Sequence, residues 1–286
     1  MWIALLAAAW PSYAQPLELR DDRGVVFKLD APARRIVTLS PHLTELVFAA
    51  GAGERLIAVS RYSDYPPEAL KFPQIGDSAR FDAERLLALK PDLVLGWKSG
   101  NPQAEIARLE KLGLRVFVTE IERLPDIARV LRLIGTLAGS AQGALASEKL
   151  INEINYLRKT HGGLRPVRVF YEIWPRPLLT VNSSHLISDV IELCGGRNVF
   201  AHLPVLTPSV SEEAVLAAAP EVVVGGDSAS GAQVFESRWR NHPITQLHQL
   251  PRKHVAADEI QRSTPRIAAG ARAVCTHLNA IRGAAR

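Results

Sequence analysis

Only two cysteines, Cys194 and Cys275, occur among 286 residues. That excludes a fold stapled by several disulfides and leaves either one bridge or two buried thiols. Low-complexity runs are missing too. With 47% hydrophobic and 22% charged residues, the chain is not the composition of a disordered protein. The net charge of +5 comes from Arg and Lys scattered along the chain, so no basic stripe marks a nucleic-acid partner. Beyond the first residues, no stretch approaches the roughly 18 consecutive apolar residues of a membrane-spanning helix.

The usual signatures of catalysis are absent as well. There is no G-x-S-x-G elbow, Walker A loop or H-E-x-x-H pair. "GDSASG" (226–231) has the wrong spacing for the first, and "GAGERL" (51–56) follows a helix where a dinucleotide fingerprint follows a strand. The eight histidines are scattered, with none paired at i, i+4. A zinc site from the distant His42, His185 and an acid remains a remote alternative, and nothing specific supports a nucleophile–His–Asp site. An exported enzyme or metal-binding protein is therefore the weaker reading.

What is present begins with "MWIALLAAAWPSYAQP". Residues 2–10 are apolar, and Ser12 and Ala14 supply small residues before a cleavage site, so 1–14 reads as a secretory signal peptide with Gln15 starting the mature, exported protein. Export favours the disulfide over free thiols, and in the chain-entropy model so long a loop is worth roughly 4 kcal/mol.

The mature chain alternates strands and helices. "LELRDDRGVVFKLD" (17–30) reads as a β-hairpin, and "RRIVTLS" (34–40) as a strand. A helix then carries apolar residues at 43, 46, 47 and 50, and "RLIAVS" (55–60) is the next strand. Helix–strand units follow at 81–97 and 101–120, then a helix at 124–139. From Ser140 to Gly163, Leu145, Ile151, Ile154 and Leu157 fall at roughly helical spacing among charges, which predicts one long helix of about 30 Å. The α/β pattern then restarts. The expected architecture is an α/β lobe over 15–139, a connecting helix over 140–163 and a second α/β lobe over 164–286.

The two lobes carry an internal repeat. Aligning Phe81–Trp97 with Val210–Gly226 matches Glu84 with Glu213, Leu87 with Leu216, Ala88 with Ala217, Pro91 with Pro220, Val94 with Val223 and Gly96 with Gly225. A looser match pairs Glu45–Gly51 with Asp189–Gly195. The two offsets differ by about fifteen residues, extra length that lies in lobe one. "SRYSDYPPEA" (60–69) falls inside it: an irregular loop in which Pro66 and Pro67 bar a continuing helix or a central strand. Ligands of open α/β sheets bind at strand C-termini. There stand Ser40-Pro41-His42, Tyr62–Tyr65, Trp97, Tyr171–Trp174 and Asp258, facing a cleft suited to a large flat ligand. Lobe packing is the plainer reading for each aromatic, most of all Tyr65, which is expected to hold the loop against its own lobe. Glu84 and Glu213 sit in first helical turns, where the dipole alone accounts for a carboxylate. As a pseudo-symmetric pair on one outer face they also suit a partner with paired cations.

At these residues the chain resembles the substrate-binding proteins of ABC importers for cobalamin, ferric siderophores and haem. "RRIVTLSPHLTELVFAAGAGERLIAVSRYSDYPP", "DAERLLALKPDLVLGW" and "LISDVIELCGGRNVF…PSVSEEAVLAAAPEVVV" carry the resemblance, and "ELCGG", "AVCTHL" and "STPR" point to the cobalamin branch. The resemblance implies two Rossmann-like α/β lobes joined by a rigid helix, with no cofactor and no metal. It implies a periplasmic monomer that takes cobalamin or another corrinoid to an ABC permease dimer in the inner membrane. Ligand contacts would come from Pro41, His42, Tyr62, Trp97, Trp174 and Asp258. Glu84 and Glu213 would dock on permease arginines, and Cys194 would pair with Cys275. Ser78 and Leu179 stand where that branch carries further aromatics, and one more is missing near Leu206, so Trp174 is the expected replacement and the corrinoid need not be cobalamin itself. In the haem branch a tyrosine binds iron, which makes Tyr62 its counterpart here. In the siderophore branch Arg176 or Arg262 would serve.

Overall fold

The computed structural model describes residues 17–226 and 231–284, so the expected signal peptide lies outside the described residues. A hairpin of β1 (Leu17–Arg20) and β2 (Val26–Leu29) opens the chain. Lobe one follows as β3 (Ile36–Thr38), α1 (Pro41–Ala49), β4 (Leu56–Ala58), α2 (Ala83–Leu89), β5 (Leu93–Trp97), α3 (Gln103–Lys111), β6 (Val116–Thr119) and α4 (Leu124–Ala138). The long helix is α5 (Gln142–His161). Lobe two comprises β7 (Val167–Glu172), β8 (Trp174–Pro175), β9 (Leu178–Leu179), α6 (Leu186–Leu193), β10 (Gly196–Asn198), α7 (Glu212–Ala217) and β11 (Val222–Gly225). It continues with α8 (Gly231–Arg240), α9 (Thr245–His248), β12 (Arg252–His254), α10 (Ala257–Ile260) and α11 (Ile267–Ala284). No helix among the described residues is long and apolar enough to cross a membrane.

The two main sheets are copies of one topology. Their orders are β4-β3-β5-β6 and β10-β7-β11-β12, with every neighbouring pair parallel. The match reaches single residues. The backbone enters the left-handed region at Lys90 and at Ala219, each with φ of 46° and each just before the matched Pro91 or Pro220. In both places an arginine from the central strand's start donates to the strained turn, Arg35 to the Lys90 carbonyl and Arg168 to the Ala219 carbonyl. The acids after the prolines act alike. Asp92 accepts the Arg34 and Arg35 backbone N–H groups, and Glu221 accepts that of Arg168. Asp82 and Ser211 cap α2 and α7.

Strand side chains alternate between two cores. In β5, Leu93 and Leu95 face inward and Val94 outward; in β11, Val222 and Val224 face inward and Val223 outward. The inward core is continuous through both lobes, because α4, α5, α6 and α11 contribute to one apolar cluster. α5 is the spine of that cluster, 20 residues and roughly 30 Å long. Its buried stripe is Gly143, Ser147, Leu150, Ile154 and Leu157; of the expected Leu145, Ile151, Ile154 and Leu157, the last two are buried, Ile151 packs half-buried against the core, and Leu145 is exposed. The reason is Gly143. A Cβ there would lie 2.6 Å from the Gly135 Cα, so α4 and α5 touch backbone to backbone and turn Leu145 outward.

The sequence pattern assigns nothing to β8, β9, β10, β12 and α8–α11. β12 reads Arg-Lys-His, a sheet-edge strand with no apolar alternation. Cys194, ending α6, is bonded to Cys275 within α11, with Cα atoms 4.6 Å apart and 81 positions between them. Replacing both cysteines by alanine is expected to cost about 2–5 kcal/mol. Urea unfolding with and without reductant measures this, and equal midpoints would show that the bridge contributes nothing.

Candidate functional site

The parallel strands of both sheets end toward the same junction. The tyrosine loop leaves β4 there and is closed at its base by backbone bonds from Ile75 N to Val59 O (3.0 Å) and from Val59 N to Pro73 O (3.0 Å). Pro67 begins a short 3-10 turn, Pro67–Lys71, where a proline is tolerated at the first position. Hydroxyls pin the loop's root. Thr44 on α1 bonds Thr38 on β3 (2.7 Å) and Ser63 in the loop (2.9 Å), and Ser63 bonds Ser60 (3.2 Å). All four are buried, so each hydroxyl finds its partner among the others.

Above this network Tyr62 has φ of 66° and is 68% exposed. A bulky residue in the left-handed region stores about 1–3 kcal/mol of strain. Here it turns a large aromatic toward solvent while Ser63 is drawn inward. Tyr65 behaves differently. The Arg266 guanidinium of lobe two lies 4.2 Å from its ring centroid, so Tyr65 also meets the opposite lobe.

Trp97 ends β5. Its indole Nε1 donates to Glu120 Oε1 (3.2 Å), and its backbone N–H donates to Asn101 Oδ1 (2.7 Å). The Asn101 amide also donates to Leu39 O (3.2 Å) and Ser78 O (3.0 Å). Asn101 therefore fixes three pieces of the cleft wall at once, yet sequence reading passes over it; the Asn-Pro step directly after a strand was the available signal. Gly100 leaves room for the indole, since a Cβ there would clash with the Trp97 ring. Pro41 is the first residue of α1. His42 beside it is buried, with its ring edge-on to Trp97 at 5.0 Å and Nδ1 3.1 Å from Ser40 Oγ. Its place is behind Trp97. Burial disfavours the imidazolium and pulls the His42 pKa down to about 4.

From lobe two, Trp174 stands on β8 directly opposite Leu179 on β9, is 53% exposed, and donates Nε1 to the Arg176 carbonyl (3.0 Å). Its indole thus shares a hairpin face with the position expected to lack an aromatic. Leu206 is also exposed, on a segment bonded to Asn182. Asp258 on α10 forms an ion pair with Arg262, Oδ1 to Nε 3.2 Å. Arg262 Nη1 also reaches Glu45 Oε1 (2.8 Å) and Asp64 Oδ1 (2.6 Å) in lobe one. Arg262 lowers the Asp64 pKa, whereas burial outweighs the arginines at Glu45 and raises its pKa. Asp258 is thus linked through Arg262 to Asp64 of the tyrosine loop, His42 of α1 meets the Trp97 ring, and Trp174 lies on a hairpin that continues from β7.

His185 is not beside His42 in a donor set. It caps α6 by accepting the Ile187 N–H (3.1 Å), and among the described residues no group of three His, Cys, Asp or Glu could hold a metal ion. Glu84 and Glu213 are exposed on α2 and α7 and form no ion pair among the described residues, while the neighbouring Glu212 is taken by His242 (3.0 Å). Hydrogen bonds at the start of α7 lower the Glu213 pKa, so it stays charged.

The chain matches the family described as periplasmic binding protein over residues 36–248. It is 35% identical over 251 residues to the vitamin B12-binding protein of Vibrio cholerae serotype O1, covering 86% of this chain and 90% of that one. The crystal structure of periplasmic vitamin B12 binding protein BtuF of Vibrio cholerae superimposes with a TM-score of 0.77 at 34% identity, over 88% of this chain and 98% of that one. The periplasmic heme binding protein HutB of the same organism gives 0.74 at 22% identity, over 85% and 98% of the two chains, which shows the shared fold alone.

The buried imidazole makes stability depend on pH. A folded-state pKa near 4 against the usual 6.5 means that unfolded His42 gains a proton on acidification before the folded form does. Its contribution is whole above about pH 6.5 and is lost as pH falls toward 4, by roughly 2 kcal/mol at pH 4.5. Urea unfolding of wild type and His42→Asn at pH 7 and 4.5 isolates it from Glu45 and His185. The two profiles should converge in acid, and parallel profiles would refute the assignment.

Proposed function

The chain belongs to the periplasmic binding protein family, and from that premise we propose that it captures cobalamin or a related corrinoid between its lobes and delivers it to an ABC importer. The observation that carries this reading is the pairing of whole-length similarity to vitamin B12-binding proteins with the aromatic residues at the cleft. Tyr62 and Trp97 offer flat apolar surface from lobe one, and Asp258 offers a polar anchor from lobe two. Trp174 takes over surface at Leu179, on the same face of the β8–β9 hairpin. His42 and Pro41 brace the lobe-one wall. The ligand is held without chemistry, since binding a rigid macrocycle needs burial and a few anchors and no reactive group. The mature protein acts as a monomer in the periplasm, delivered there by the apolar N-terminal segment.

Titration with cyanocobalamin, haemin and a ferric hydroxamate tests the ligand class. Cyanocobalamin should bind with one-to-one stoichiometry, and Tyr62→Ala or Trp97→Ala should weaken it at least about ten-fold, or 1.4 kcal/mol. Tyr62→Gly should weaken binding equally while leaving stability within about 1 kcal/mol, because glycine relieves the left-handed backbone. Binding of haemin alone, with a tyrosinate spectrum lost in Tyr62→Phe, would sink the corrinoid reading.

Glu84 and Glu213 serve delivery. They occupy matched positions in the repeat, sit in the first turns of α2 and α7, and form no ion pair among the described residues. Paired arginines on the two halves of a permease dimer complement such a pair. Charge reversal, Glu84→Lys with Glu213→Lys, should abolish uptake in cells while corrinoid affinity stays within about two-fold. Uptake at the wild-type rate, or lost affinity, would count against docking through these carboxylates.

A further inference from the structure

Beside the proposed ligand contacts, two arginines of lobe two hold residues of lobe one. Arg262, just after α10, places Nη1 on Glu45 of α1 and on Asp64 of the tyrosine loop, with Nη2 3.3 Å from Asp64 Oδ2. Its Nε turns back to Asp258, so one guanidinium bridges the tyrosine loop and the lobe-two anchor. Four residues later, just before α11, Arg266 lies 3.5 Å from Glu45 Oε1 and over the Tyr65 ring. Residues 62–65 thus alternate in their commitments: Tyr62 outward, Ser63 to its own lobe, Asp64 and Tyr65 to lobe two.

Behind this cluster α1 and α11 are parted by a groove of about 630 Å³, lined by Phe48 and Ala49 on one side, Ala268 and Ala269 on the other, and Leu145 on its floor. Apolar packing therefore does not close the two lobes there, and the ionic contacts do. Glu45 is 4% exposed and its Oε2 has no hydrogen-bond partner, so removing Arg262 would leave a buried carboxylate with only the longer Arg266 contact.

We propose that Arg262 and Arg266 form an interlobe clamp that sets the tyrosine loop in register with Asp258 before any ligand arrives, making them positioning residues for capture. This rests on the corrinoid reading of the cleft for its consequence in binding, but not for the clamp itself. The benefit is preorganisation: a loop already held in its bound position loses less entropy on binding. Arg266 adds to the hold through a cation over an aromatic face, which does not depend on Asp64.

The test uses the full mature chain with spin labels at Lys71→Cys and Val234→Cys, since the native cysteines are bonded to each other. Interlobe distances are measured without ligand. Arg262→Gln and Asp64→Asn should each broaden the distribution, the double variant should broaden it no further than Arg262→Gln, and Arg262→Lys should restore it in part. Cyanocobalamin affinity should fall about five-fold in each single variant, non-additively in the double. An unchanged ligand-free distribution in Arg262→Gln overturns the clamp, and a loss of affinity with that distribution unchanged identifies Arg262 as a ligand contact instead. Should Arg262→Gln not fold, Asp64→Asn decides alone, because Asp64 is largely exposed and its removal strands no buried charge. If the wild type binds no cyanocobalamin, the function reading fails while the distance measurement still judges the clamp.

Discussion

The contact between Gly135 and Gly143 sets how the two halves of this molecule meet. Without side chains at the crossing, α4 and α5 approach to backbone distance. That contact fixes the direction in which α5 leaves lobe one, and α5 in turn carries α6 and α11 of lobe two on the same apolar core. A methyl group at either glycine would push the helices apart and shift every residue that faces across the junction. The Cys194–Cys275 bond ties α6 to α11 on the far side of α5, so the surface on which the spine rests in lobe two is itself cross-linked.

On this frame the lobes are built alike, and their differences carry the specificity. The shared parts are strand order, left-handed turns at Lys90 and Ala219, the acids that seat the central strands, and the caps on α2 and α7. The same repeat leaves Glu84 and Glu213 at equivalent places. In the unshared parts, lobe one adds the tyrosine loop, and lobe two adds the β8–β9 hairpin that carries Trp174. In the proposed function the shared scaffold would serve docking and the additions recognition.

Polar groups at the junction follow from burial as much as from pairing. His42 is kept neutral by burial, with its ring edge-on to Trp97. Glu45 remains in contact with two arginines even though burial raises its pKa. The charges that cross between the lobes here gather around Arg262, and two aromatics keep ionic neighbours of their own, Trp97 with Glu120 and Tyr65 with Arg266.

Much of this was legible from the chain alone. Apolar alternation, proline and glycine stops and the internal repeat determined the two α/β lobes, the long helix and the position of the tyrosine loop in lobe-one excess length. These are local periodicities, and local periodicity survives in a linear sequence. Cysteine count and export left a bridge as the better of two options. On α5 the expected stripe fails at Leu145 alone, because a glycine contact with another helix outweighs its hydrophobicity. No sequence pattern reveals that Arg266 reaches Tyr65 from across the junction. Asn101, the Arg262 cluster and the burial of His42 involve residues brought together over separations of 23 to 217 positions. Only the tertiary structure decides such contacts, since they depend on where α5 sets lobe two and not on what any segment prefers by itself.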